Sequence, residues 1–148
     1  MTALFPWFDE LVKRAAYDLP WCVVSEAPET LEGLTTVYRQ TGRICVSGQF
    51  SDRTIFGAPV INHAFRAWHD WHHVRLQAPF DREGEATTMA AQYGDCLRLL
   101  PSTLWRPAWR VLECEIIGQF DYQATTGQFP GDQRAFALGY FRQRDWSI

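Results

Sequence analysis

The sequence predicts an all-α fold, an antiparallel bundle of five to six helices, and three observations predict it. Apolar residues recur at spacings of three and four through most of the chain. Proline and glycine cut the chain into helix-length pieces with short links. Only the stretch 43–58 reads otherwise, with Ile44, Val46, Thr54 and Ile55 interrupted by Gly48 and Gly57, so an irregular or short hairpin segment is expected there. The 148 residues are expected to form one helical domain, 1–148, because a chain of that size buries roughly 68–70% of its unfolded surface.

The first helix is expected from Pro6 to Tyr17, where Phe8, Leu11, Val12, Ala15 and Ala16 share a face, Pro6 suits a first turn and Leu19-Pro20 ends the pattern. A second runs from Pro28 to Gln40, opened by Ser25 or Pro28 and stopped by Gly42. After the irregular segment, helix returns from Pro59 to Gln77, ending before Pro79. The next helix runs from Gly84 to Leu100 and is broken by Pro101-Ser102. Two more follow, Pro107 to Thr126 and Gln133 to Arg142. No internal repeat or low-complexity segment interrupts them.

Composition narrows the function. Fourteen Lys+Arg against 17 Asp+Glu leave a net charge of −3, which offers no basic face, so no nucleic-acid partner is expected. No apolar run approaches the ~20 residues of a membrane span, and the amino end lacks the charged-then-apolar layout of a signal peptide; a cytoplasmic protein without a transmembrane segment is expected. Cys22, Cys45, Cys96 and Cys114 are scattered, with no C-x-x-C pair, so they read as reduced, mostly buried thiols rather than a thiolate zinc site. The aromatic segments Phe5-Pro6-Trp7-Phe8 and Tyr140-Phe141 offer a surface for a homodimer.

The chemistry-bearing feature is a run of four histidines, His63, His69, His72 and His73, within one predicted helix. At ~100° per residue, His69 and His73 lie ~40° apart on one face, whereas His63 is ~120° away from His69 and His72 is ~60° away from it. The stripe Asn62, Arg66, His69, His73 is polar, and Ile61, Phe65 and Trp68 form the apolar side. Such a stripe either faces water or holds an ion. Glu85 favours the ion: in a helix pair folded about Pro79, residues 73 and 85 stand at one height. Two imidazoles and a carboxylate suit a divalent metal, Zn or Fe.

Glu115 and Gln119 share a face among apolar neighbours, and a carboxylate so placed must be paired or bind a cation. Glu115 is therefore a fourth candidate ligand, with Glu113, half a turn away, expected to face solvent. Asp70, Arg66 and Gln119 are candidate catalytic residues. Asp70 would orient an imidazole, Arg66 would neutralise an anionic substrate or pair with Glu115, and Gln119 would line the site beside Glu115. Gln92 shares the face of Glu85 and reads as a lining residue or an ordinary core hydrogen-bonding group. Trp68, Trp71, Trp105 and Trp109 would either line an apolar pocket or pack as core.

His69-Asp70-x-x-His73 followed by eleven residues and Glu85 resembles the H-D-x-x-H-x(11)-E metal motif of a ubiquinone-biosynthesis family, the fourth Coq protein. The resemblance covers about 17 of the 148 residues and marks His69, Asp70, His73 and Glu85. It implies a helical protein with a divalent metal, and oxidative decarboxylation of a quinone precursor. The chain is also similar to small phage and bacterial helical proteins with the pattern N-x-x-F-R-A-x-H-D, then G-E, then E-x-x-G-Q. Here these are Asn62 to Asp70, Gly84-Glu85, and Glu115 to Gln119. In many such sequences the second histidine falls five residues after the first, which leaves His72 and His73 both open as the ligand, and a histidine often stands where this chain has Gln92, so by that similarity a ligand is missing here. That similarity implies no activity.

Three functions are consistent with these residues. The first is a metalloenzyme, oxidoreductase or hydrolase, acting on a small molecule at a mononuclear His69/His73/Glu85 site. A di-iron site is disfavoured, since no E-x-x-H unit occurs. The second is HD-type phosphohydrolase chemistry from His69-Asp70, with Asp95 or Asp121 as distal partner; it is disfavoured, since such sites also need a histidine from an earlier helix and none precedes His63. The third is a non-enzymatic phage or bacterial accessory protein in which a His/Glu cluster holds helices together.

Overall fold

A computed structural model describes residues 2–147. Its elements follow the sequence punctuation closely. Helix α1 (Pro6–Ala16) begins on its proline and buries Phe8, Leu11, Val12 and Ala16. Helix α2 (Leu31–Thr41) starts a turn later than Pro28, because Thr30 is the residue whose side chain accepts the Gly33 N–H; it ends on Gly42, which takes the left-handed φ of +71°. Helix α3 (Pro59–Leu76) ends on Gln77, also left-handed. Helix α4 (Arg82–Leu99) is capped by Asp81, followed by a 3₁₀ turn (Ser102–Leu104). Helices α5 (Trp105–Leu112) and α6 (Gln119–Thr126) form one rod through a π-helical segment, Glu113–Gly118. Helix α7 (Gln133–Gln143), capped by Asp132, closes the fold. The result is a helical bundle of six rods, counting α5–α6 as one.

The stretch 43–58 does not fold back on itself as a hairpin. Strand β2 (Ile44–Ser47) pairs in parallel with β1 (Trp21–Val24), in the register Trp21 with Ile44 through Val24 with Ser47. A parallel pair needs a crossover, and α2 supplies it, so β1–α2–β2 is a small βαβ unit attached to the bundle. The rest of the stretch is irregular.

Two apolar clusters hold the elements together, and α3 serves both. Phe8 of α1, Phe56, Phe65 and Trp68 pack with Leu112 and Cys114, and the Phe8, Phe56 and Phe65 rings meet at centroid distances of 5.4 to 6.2 Å. Ile44 and Val46 of β2 pack with Leu34 and with Ala67 and Val74 of α3. Burying each large apolar side chain contributes about 1.5–3 kcal/mol. With α3 covered on both flanks, its polar stripe is shielded from water: Asn62, bonded to Ser51, is 2% exposed, and His73, which faces Glu85 of α4, 1%. Phe5, Phe8 and Phe141, from the segments expected at a dimer surface, are buried within the chain. No helix among the described residues is long and apolar enough to cross a membrane.

Candidate metal centre

The site sits where α3 ends and α4 begins, and the turn between them builds it. Gln77 ends α3 in the left-handed conformation, which swings the chain back so that the Ala78 N–H donates to the His73 carbonyl at 3.0 Å. The Ala78 carbonyl in turn lies 2.8 Å from His73 Nδ1. A carbonyl only accepts, so Nδ1 carries a proton and Nε2 is the ring nitrogen turned inward. The Phe80 ring stands edge-on to His73 at 4.6 Å. Further on, the Asp81 side chain accepts from the Gly84 N–H at 2.8 Å and its carbonyl accepts from the Glu85 N–H at 2.8 Å. Gly84 is required there: a Cβ would stand 1.8 Å from the Pro79 carbonyl oxygen. Only a glycine lets the loop lie on the helix start and aim Glu85 at α3.

His69, one turn before His73, is fixed from the other side. Its Nδ1–H donates to Gln92 Oε1 at 2.8 Å, and Gln92 is fully buried on α4. Both Nδ1 atoms are thereby committed, and both Nε2 atoms face the same point. They lie 3.0 Å apart; His69 Nε2 is 2.8 Å from Glu85 Oε2, and His73 Nε2 is 3.4 Å from Glu85 Oε1. His69, His73 and Glu85 thus form a group whose ligand atoms all lie within 4.8 Å of one another.

Three electron-pair donors facing one another repel unless a cation or a proton sits among them. The spacing fits a cation, since two nitrogens on one tetrahedral zinc at ~2.05 Å stand roughly 3.3 Å apart. A proton is the other way to satisfy the group. Burial alone would push His69 down, but the charge of Glu85 and its hydrogen bond, helped by Asp70 and Gln92, hold it up at about 9. Burial would raise Glu85, and the His69 charge and the bonds from both imidazoles overcome that and bring it to about 2.

The remaining candidates stand apart from this group. His72, open beside His73 on sequence, points away from it. Its Nε2–H donates to Asp95 Oδ2 at 2.8 Å, while Arg75 donates to its Nδ1 at 3.0 Å. Trp68 Nε1–H donates to the same Asp95 oxygen at 2.8 Å, and Arg98 donates to Oδ1 at 2.6 Å. Asp70 follows His69 around the helix and does not join the triad. Burial raises its carboxyl to about 6 against the charges of His69 and His73.

Glu115 is not in the group that His69, His73 and Glu85 form. It lies on the π-helical segment, where Oε2 accepts from Gln119 at 2.9 Å and the buried Oε1 has no partner. Burial raises it to about 8, with Gln119 and Arg66 opposing. Gln119 therefore serves Glu115, and Glu113 is half-buried rather than solvent-facing. Arg66 donates to the Ser47 carbonyl and sends its charge toward both Asp70 and Glu115, without an ion pair to either among the described residues.

Sequence reasoning missed Thr88, fully buried with its Oγ1 unpartnered. The signal was present, because Glu85, Thr88 and Gln92 repeat at three and four along one face of α4. It also missed the Asp95 cluster as a unit, although Trp68 and His72 on α3 share the i, i+4 spacing of His69 and His73. No protein-family model, curated protein or solved structure matches the chain.

Proposed function

We propose that the protein is a metal-dependent enzyme in which His69 Nε2, His73 Nε2 and the Glu85 carboxylate hold one zinc or iron ion. One observation carries this reading: three donors converge while both imidazole Nδ1 atoms are already committed, to Ala78 and Gln92. Two imidazoles and one carboxylate leave coordination positions open, where a divalent ion supplies Lewis acidity, an acidified water or, with iron, redox chemistry.

The chain's own residues do the rest. Ala78 and Gln92 lock the ring orientations, the outer support that metal-binding histidines need. Arg66 and Asp70, on the adjoining part of α3, supply a cation and an acid to position a small-molecule substrate. The activity this supports is oxidoreductase with iron or hydrolase with zinc. The resemblance of His69, Asp70, His73 and Glu85 to the ubiquinone-biosynthesis motif favours the former.

A specific observation favours a second reading, a metal that only staples α3 to α4. The triad is nearly closed, with side-chain exposures of 15% for His69, 1% for His73 and 14% for Glu85. One surface cleft lies instead between Trp7, Leu104, Pro107 and Phe141, and another between Leu31, Thr35, Arg39 and Gln77.

Metal analysis of protein purified without a histidine tag separates the readings. The enzyme reading expects one zinc or iron per chain, absent from His69→Ala and Glu85→Ala proteins that remain folded. Melting of the whole chain on chelation would establish the staple instead. Absence of metal, with both variants as stable as the parent, would remove both.

A further inference from the structure

The second site lies in the βαβ unit. Cys22 and Cys45 occupy paired positions of β1 and β2, so their side chains leave the same face of the sheet. Their Sγ atoms are 3.3 Å apart. Adjacent strands run ~4.8 Å apart, within the ~4.4–6.8 Å Cα separation that a disulfide spans, so the bond can form without moving the backbone. Cys45 is buried yet belongs to neither apolar cluster; Ile44 and Val46, its neighbours on β2, face the core from the other side. Cys22 is half-buried and is the member of the pair that solvent reaches. The other two thiols differ on every count. Cys96 and Cys114 are fully buried within the main apolar cluster, and burial raises both, Cys96 to about 12.

We propose that Cys22 and Cys45 are a redox-active dithiol that a low-molecular-weight disulfide converts into an intramolecular disulfide. In the first step the Cys22 thiolate attacks one sulfur of the reagent; the reagent's S–S bond breaks, its other half leaves as a thiolate, and a mixed disulfide forms on Cys22. In the second, Cys45 loses its proton and its sulfur attacks Cys22 Sγ, expelling the second half of the reagent. The chain loses two electrons and two protons, and the reagent gains them as two thiols. Burial raises the Cys45 thiol, and its bond with Cys22 raises it further, which fits Cys22 as the attacking group and Cys45 as the resolving one. The product closes a loop around α2 and ties β1 to β2. The far end of β2, Ser47, is where Arg66 of α3 is anchored.

Mass spectrometry of the folded full-length chain treated with oxidised glutathione tests this. The expected result is a loss of two hydrogens, no retained glutathione, and peptides containing Cys22 and Cys45 joined, reversed by dithiothreitol. Cys45→Ser should retain one glutathione on Cys22, and Cys22→Ser none. Cys96 and Cys114 should stay free in every sample. A stable glutathione adduct on Cys22 in the unsubstituted protein would overturn the proposal. So would four free thiols after treatment with excess reagent, or a link to any other cysteine.

Discussion

Two histidine–carboxylate clusters lie side by side between α3 and α4, and they differ in one respect. Around Asp95, every partner is a donor: Trp68, His72 and Arg98 each bring a proton to an acceptor, and Arg75 brings one to the far side of His72. That cluster is complete as it stands. Around Glu85, both neighbours have committed Nδ1–H to Ala78 and Gln92 and turn Nε2 inward. That cluster is completed only by an added proton or a cation. Residue type and even adjacency, His72 beside His73, do not distinguish a staple from an ion site; the partner of each Nδ1 does.

Substitutions at neighbouring positions should break the comparison most sharply. His73→Ala should abolish metal retention, and Glu85→Ala should do the same, whereas His72→Ala should leave one ion per chain; elemental analysis reads all three. Next in size is Gly84→Ala. The added Cβ meets the Pro79 carbonyl, so the loop or the start of α4 must move. Overpacking of this kind costs about 1–3 kcal/mol or more. Urea denaturation should show that loss, and the misplaced Glu85 should weaken metal binding as well. Asp95→Asn should act on the other cluster alone. It removes the charge but keeps one accepting oxygen, so the bonds from Trp68, His72 and Arg98 weaken rather than vanish, and destabilisation of about 2 kcal/mol is expected with the metal retained. Loss of metal from that variant would show that the two clusters are one unit.

The smallest effect is the pH response of the metal-free protein. His69 is raised to about 9, so its contribution to stability is whole below its ordinary value of 6.5 and disappears as pH rises through 9. Glu85 is lowered to about 2, so its contribution is whole above 4.5 and disappears as pH falls through 2. The triad should therefore stabilise the metal-free chain most between about pH 4.5 and 6.5. Saturation with zinc should remove the alkaline decline, because the ion takes the place of the proton. Melting temperatures recorded across pH, with and without zinc, check this.

Much of this was legible in the sequence. Pro6 and Pro59 open helices, and Gly42 and Pro101 punctuate them where local sterics require it. The His69/His73 face and the height of Glu85 follow from helix period and a symmetric turn. Strand β1 did not, because Trp21-Cys22-Val23-Val24 is too short to carry a period and its partner lies beyond a whole helix. The π-helical turn Glu113–Gly118 was not legible either, because a helical wheel assumes ~100° per residue and i→i+5 bonding turns less at each step; the shared face of Glu115 and Gln119 survives it, with their side chains 2.9 Å apart. The protons on Nδ1 were invisible too, since one acceptor is a backbone carbonyl that side-chain patterns never show.

Calorimetric titration of zinc into metal-free protein at pH 7, repeated in two buffers of different ionisation heat, is the most direct measurement. With His69 held at about 9, that imidazole carries an extra proton at this pH, so one zinc should bind per chain and displace it, releasing a proton. Failure to bind zinc, or binding that survives Glu85→Gln unchanged and releases no proton, would contradict the account.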